Sequence, residues 1–241
     1  MLFVVAICAL FSLGISFVLQ QKQVANRITT AYEMRSMANA LENYSSAHSS
    51  LPYPVYFDDT NPSIPLYSWR YRIIPYVASY KMDVHYDHAW NHAANSKWQS
   101  VPQPYSFGGW GDTRRPSEIS TETRVYAITG PGTAFGDGQT HKPKSFDELP
   151  NDIILLAEIR DSGHHWMQDG DFDIRTMPNS INSGAGKSIS GLHPGGFFVV
   201  FADSQVWFLS NETPYSKLSL FFTVEDASNY DREVVLGEYR Q

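Results

Sequence analysis

The first forty-eight residues constrain this chain more than any other stretch. "LFVVAICALFSLGISFVL" runs from Leu2 to Leu19 without a charge, and its only polar side chains are two serines. Eighteen such residues reach the lower limit for a membrane-spanning helix. A cleaved signal would carry a basic region before the run and a small-x-small site after it. Here only Met1 precedes the run and "QQKQVANR" follows it, so the reading favours a retained anchor. From there to His48 the chain has neither Gly nor Pro. Val24, Ile28, Ala31, Met34, Met37 (or Ala38), Leu41 and Tyr44 recur at spacings of three and four, the pattern of an amphipathic helix. The expectation is one helix over about 2–48, apolar all round in its first half and one-sided in its second. "LPYP" at 51–54 ends it.

Three segments follow from this: an anchor at 1–20, its amphipathic continuation at 21–50, and a globular domain at 51–241. The chain is long and apolar enough for one sizeable domain, with 241 residues and 42% hydrophobic content. A formal net charge of −7 and the lack of any Lys/Arg cluster exclude a nucleic-acid partner. Cys8 is the single cysteine, which excludes an internal disulfide framework and any multi-cysteine metal site.

Residues 52–66 read as a proline-rich connection. "YSWRYRIIPYVASY" at 67–80 places Trp69, Ile73, Ile74 and Val77 on a helical stripe broken or kinked at Pro75. Residues 82–121 read as an irregular insert rich in Trp, His and Gly. Strands are predicted at 124–129, 153–159, 197–202 and 205–210, and a closing helix at 216–224. Both faces of "FFVVFA" are apolar, so that strand should be central and covered on both sides.

Several constellations carry candidate chemistry. His85, His88 and His92 would share one face of a helix near Asp83 and Asp87, a spacing that suits a transition metal. Asp169, Asp171 and Asp173 alternate in "DGDFD", where spaced oxygen ligands can wrap calcium, the one cofactor candidate. An EF-hand fails there, because Ile174 and Ser180 stand where Gly and Glu are required. "SGAGKS" at 183–188 lacks the first Gly of a phosphate loop. His164 and His165, with Glu158 and Asp161 upstream, offer acid/base groups but no nucleophile accompanies them. Trp90, Trp98 and Trp110, with Tyr105, could contact a glycan or a partner protein.

His193 and Asp203 bracket "FFVVFA". Six strand residues separate their ends by roughly 20 Å. The two side chains therefore cannot meet across the strand, and Asp203-Ser204 reads as a two-residue hairpin turn.

His193, nine residues and Asp203 resemble the signature of the prepilin-type processing-associated His-x-nine-Asp-Gly domain, the domain-of-unknown-function 1559 family of planctomycete-type bacteria. "NYSSAHSSLP" (43–52), "YSWRYRIIPYV" (67–77), "AITGPGTAF" (127–135), "IILLAEIRDSGHHWMQDGDFD" (153–173) and "HPGGFFVVFADSQVWFLS" (193–210) resemble its blocks in order. On this resemblance His193, Pro194, Gly195, Gly196, Asp203 and Ser204 form a structural signature with no catalytic residue to carry over. The resemblance implies an α+β, pilin-like fold: a long N-terminal helix packed on an antiparallel sheet with long loops and a C-terminal hairpin. It also implies a non-catalytic structural or assembly component of the cell envelope, similar to type II secretion or type IV pilus pseudopilins. Pilin-like homo- or hetero-assembly follows, with a single-pass anchor through residues 2–19 in the cytoplasmic membrane. Such proteins expose their head outside that membrane, whereas Lys22 and Arg27 by charge alone would place it inside. The basic leader, the Gly before the cut and the early glutamate of prepilins are not matched. Aligned through "NYSSAH", Met1 falls just inside the hydrophobic helix, so either the start lies upstream or processing has been lost. The family's cysteine pair is absent from "YEMRSMANAL" and "PQPYSFGG", and its signature Gly is Ser204. An envelope binding module using the aromatic 82–112 insert, and a metal-dependent enzyme, are the alternatives.

Overall fold

The structure, a computed structural model, describes residues 2–77, 83–101, 121–184, 186 and 188–241, with side chains described from residue 17 onward. Helix α1 spans Leu2–His48 as one unbroken element of 47 residues, about 70 Å long. Its second half is one-sided, as its periodicity requires. Thr30, Met34, Met37, Ala38, Leu41 and Tyr44 are buried, while Arg35, Asn39, Glu42 and Asn43 are exposed. The buried stripe starts later than the sequence suggests. Val24 and Ile28 are 45% and 53% exposed: Val24 precedes the first contact with the head, and Ile28 lies on the outer face of the docked turn. Arg27 and Thr30 face the head instead. Ser49, at φ 60°, ends the helix ahead of Pro52, and Leu51 then donates to Lys144 O at 2.7 Å. Among the described residues no helix is long and apolar enough to cross a membrane; the side chains of residues 2–16, most of the predicted anchor, lie outside that set.

The head is built on a mixed sheet. Its strands are β3 (Val125–Thr129), β4 (Ile154–Glu158), β5 (Phe172–Asp173), β6 (Gly196–Phe201) and β7 (Val206–Ser210), in the order β5-β3-β4-β6-β7. All pairs are antiparallel except β3–β5. Every residue of β3, β4 and β6 is buried, so the sheet is covered on both sides. Strand periodicity assigns the covers. Phe198 and Phe208 share the face that meets Arg27 of α1. Phe201 and Trp207 share the other, where Phe221 and Arg232 of the C-terminal segment pack. The fold is therefore α+β, and the docked half of α1 shares one core with the head.

Short elements depart from the sequence reading. The proline-rich connection contains a small hairpin, β1 (Val55–Phe57) with β2 (Pro65–Ser68). The stripe at 67–80 divides into α2 (Trp69–Arg72) and α3 (Ile74–Val77). Pro75 sits in the first turn of α3, where its missing N–H costs nothing. Within 82–121, α4 spans Ser96–Gln99. The closing helix at 216–224 is two helices joined by a 3-10 turn, α5 (Tyr215–Leu218) and α6 (Val224–Ala227), followed by α7 (Arg232–Leu236). Thr223 and Asp231 start α6 and α7 by accepting backbone amides.

The β6–β7 turn has three residues rather than two. Phe201 O accepts from Ser204 N, and Phe201 N donates to Gln205 O, both at 3.0 Å. Ser204 holds the left-handed position at φ 63°, which a three-residue hairpin with a bulge requires. Ser204→Gly should therefore stabilise the head by about 1 kcal/mol. A urea denaturation series checks this; an unchanged midpoint would contradict it.

Candidate functional site: three buried latches around the sheet

The charged and polar residues of the quoted motifs meet at three places. The first joins Arg70 to Asp171. Arg70, the first of two arginines in "SWRYRII", enters an apolar neighbourhood on α2 and is fully buried. Its Nε and one terminal nitrogen donate to Val125 O at 3.0 and 2.8 Å. The same nitrogen reaches Gly170 O at 3.0 Å and Asp171 Oδ1 at 2.8 Å. Asp171 Oδ1 also accepts from Trp69 Nε1 at 3.0 Å and from Ala127 N at 2.8 Å. Burial pushes the Asp171 carboxyl up, and the Arg70 guanidinium and these donors pull against it. This cluster ties α2 and the 169–173 loop to β3, and so supports the parallel β3–β5 pairing.

The second latch holds the C-terminal segment. Asp203 Oδ1 accepts from Arg232 at 2.9 Å, and its second oxygen meets the other guanidinium nitrogen, a bidentate pair. Arg232 also reaches Asp152 through Nε at 3.3 Å and lies over the Phe201 ring at 4.5 Å. Burial pushes the Asp203 carboxyl up, but Arg232 and the Gln205 amide outweigh it and leave it below its ordinary value.

The third latch holds α1. His193 Nε2 meets Thr30 Oγ1 at 2.9 Å. Its ring stands edge-on to Phe198 and Phe208 at 5.7 and 6.3 Å. Arg27 donates to Pro194 O and lays its guanidinium 4.0 Å over the Phe208 ring. Burial and the Arg27 charge lower the His193 pKa to about 4. Close by, Glu158 of β4 accepts from Phe198 N at 2.8 Å and from the Leu192 amide. Its other oxygen is buried without a hydrogen-bond partner, and burial pushes the carboxyl up to about 8.

Folded Glu158 thus keeps its proton up to about pH 8, while an unfolded Glu releases it near 4.5. Between these values the folded state holds one proton more, so stability falls as pH rises. The expected slope is up to about 1.4 kcal/mol per pH unit, and Glu158→Gln should flatten it. Urea titrations at pH 5, 6, 7 and 8 measure this. A wild-type slope retained in the variant would refute the assignment.

The metal candidates are separated by these contacts. Asp171 belongs to Arg70, Asp173 pairs with Arg175 at 2.6 Å, and Asp169 is half-exposed. His85, His88 and His92 lie in bends and turns rather than on a helix. Asn95 sets that path, bonding His85 N and the carbonyls of His85 and Ala89. The His88 and His92 rings stack at 4.2 Å. Among the described residues no group of three His, Cys, Asp or Glu converges to hold a metal.

Trp98 is buried, with its indole donating to Asp83 O at 2.7 Å. Trp90 stacks on His165 at 4.7 Å. Trp110 and Tyr105 lie outside the described residues. His164 meets the Tyr126 hydroxyl at 2.5 Å, His165 the Gln99 carbonyl at 3.1 Å, and Asp161 pairs with Arg124.

Thr30, Arg70 and Arg232 carry no motif in the sequence, and Arg27 enters there only through its charge beside the apolar run. For Arg70 a signal existed: a cation between Trp69 and Tyr71 in a largely apolar stretch needs an acceptor if it is buried.

A family model described as a protein of unknown function (DUF1559) matches residues 21–152, rather more than half of the chain. That span runs from α1 past Arg70 and β3 to the approach to β4. No curated protein and no solved structure matches the chain.

Proposed function

The chain belongs to the DUF1559 family of proteins of unknown function, and we propose that it is a membrane-anchored, pilin- or pseudopilin-like structural component of the bacterial envelope. The observation that carries this reading is the apolar surface α1 leaves uncovered before it docks. Phe17, Val18, Leu19, Val24, Ile28 and Tyr32 are 45–68% exposed. The docked face of α1 and the head already share one core without them, so these side chains are free to meet a lipid or protein environment. Residues 2–16 extend the same helix with a charge-free sequence. On this reading residues 2–19 cross the cytoplasmic membrane once, and the head stands outside it. The prepilin-type character and the planctomycete-type origin belong to the same proposal.

A non-catalytic role fits the three latches. His193, Asp203 and Asp171 each hold a partner from another element of the fold. The buried Trp98 and the stacked Trp90 favour a scaffold over a ligand platform.

Fractionation of native cells tests the reading. The protein should stay with membranes through a carbonate wash, and protease added outside spheroplasts should remove the head. Leu10→Lys should release it. Recovery of the wild type in the carbonate supernatant would overturn the proposal. Mass spectrometry of the mature N-terminus then separates a processed subunit from a retained anchor.

A further inference from the structure

His193 sits where α1 parts from the head. Residues 17–25 are exposed, and from Arg27 onward the helix begins to bury its inner face. At that point the hairpin offers α1 two polar contacts, His193 to Thr30 and Pro194 O to Arg27. His193 is 6% exposed. The Arg27 Nε is buried beside it without a hydrogen-bond partner.

The titratable and charged side chains around this point are Arg27 and Glu33 on α1 and Glu158 on β4; the Gln241 amide donates to Phe208 O. Among the described residues no carboxylate pairs with the His193 ring. A proton added to the imidazole would stand beside the Arg27 cation, between two phenylalanine rings.

We propose that His193 is a proton-operated latch for the α1 arm. Neutral, it fixes the Arg27–Thr30 turn against the β6–β7 hairpin and sets the direction in which the arm leaves the head. Protonated, it releases that turn, while Met34, Met37, Leu41 and Tyr44 keep the rest of the helix docked through apolar contacts. The proposal does not depend on the helix entering a membrane.

The sign follows from the chemistry. An unfolded imidazole titrates near 6.5 and the folded one near 4. The latch is therefore at full strength above about pH 6.5 and is lost as pH falls toward 4.

Spin-label distance measurements on the full chain in detergent micelles test it. Cys8→Ser supplies the background, and labels go on Gln23→Cys of the arm and Glu212→Cys beyond β7. The expected result is one narrow distance distribution at pH 7.5 and a broader, shifted one at pH 4. His193→Asn, neutral throughout, should stay narrow at both. His193→Lys should be broad at both; if it fails to fold, the other two proteins decide. A wild-type distribution unchanged at pH 4 would overturn the proposal, as would broadening of the Asn variant at acid pH. Loss of the near-ultraviolet dichroism of the head at the same pH would also overturn it, since release would then be global unfolding.

Discussion

Asp171→Ala is expected to remove about 3–5 kcal/mol of folding stability, the cost of leaving a buried guanidinium without its counter-charge. Arg70 is wholly buried and its partner nearly so, so water cannot replace the carboxylate. The same oxygen also serves the Trp69 indole and the Ala127 amide, and the substitution orphans both. Domains of this size are stable by roughly 5–15 kcal/mol, so the loss is a large share of the total. Removing both charges should cost much less. The double variant Arg70→Met with Asp171→Leu buries no unpaired ion and should recover most of the deficit. Urea midpoints of the three proteins measure this. A loss below about 1 kcal/mol in Asp171→Ala would mean that the pair is solvated.

Asp203→Ala is expected to cost about 2–3 kcal/mol, less than Asp171→Ala because Arg232 keeps Asp152 as a second partner. The damage should be local. Arg232 opens α7 and lies over Phe201 and Trp207, so loss of Asp203 loosens the C-terminal segment from the outer face of β6 and β7. Hydrogen exchange should show Arg232–Leu236 losing protection while α1 keeps it. Equal loss in both would show that the segment is not an independent latch. The neighbouring Ser204→Gly acts in the opposite direction, so the two substitutions separate the side chain of the motif from its turn geometry.

The sequence makes the long elements plain and the short ones obscure, for a physical reason. α1 announces itself through 47 residues with a single Gly and no Pro. β3, β4, β6 and β7 announce themselves through apolar runs bounded by turns. β1 and β5, of three and two residues, are too short for any periodicity, and the pairing of β5 with β3 joins residues 44 apart. The helix stripe was legible in its period but not in its extent. Nothing local to Val24 reveals that the head ends beside Arg27, and nothing local to Ile28 reveals that Arg27 and Thr30 turn it to the outer face. The latches were half legible. Strand length alone separates His193 from Asp203, and that separation stands. Their partners are Thr30, 163 residues away, and Arg232, 29 residues away, and residue spacing carries no such information. Asp171 reads as one of three alternating calcium ligands because that pattern is local, whereas its guanidinium lies 101 residues earlier.

His193 and Asp203 thus act as two independent anchors, one for the N-terminal helix and one for the C-terminal segment, rather than as a functional pair. A double-mutant cycle separates these two possibilities. The stabilities of wild type, His193→Ala, Asp203→Ala and the double variant are measured by urea denaturation at pH 7. Independent anchors should give losses that add to within about 0.5 kcal/mol, as for sites without shared partners. A coupling above about 1 kcal/mol would contradict this and restore the two residues as a single site.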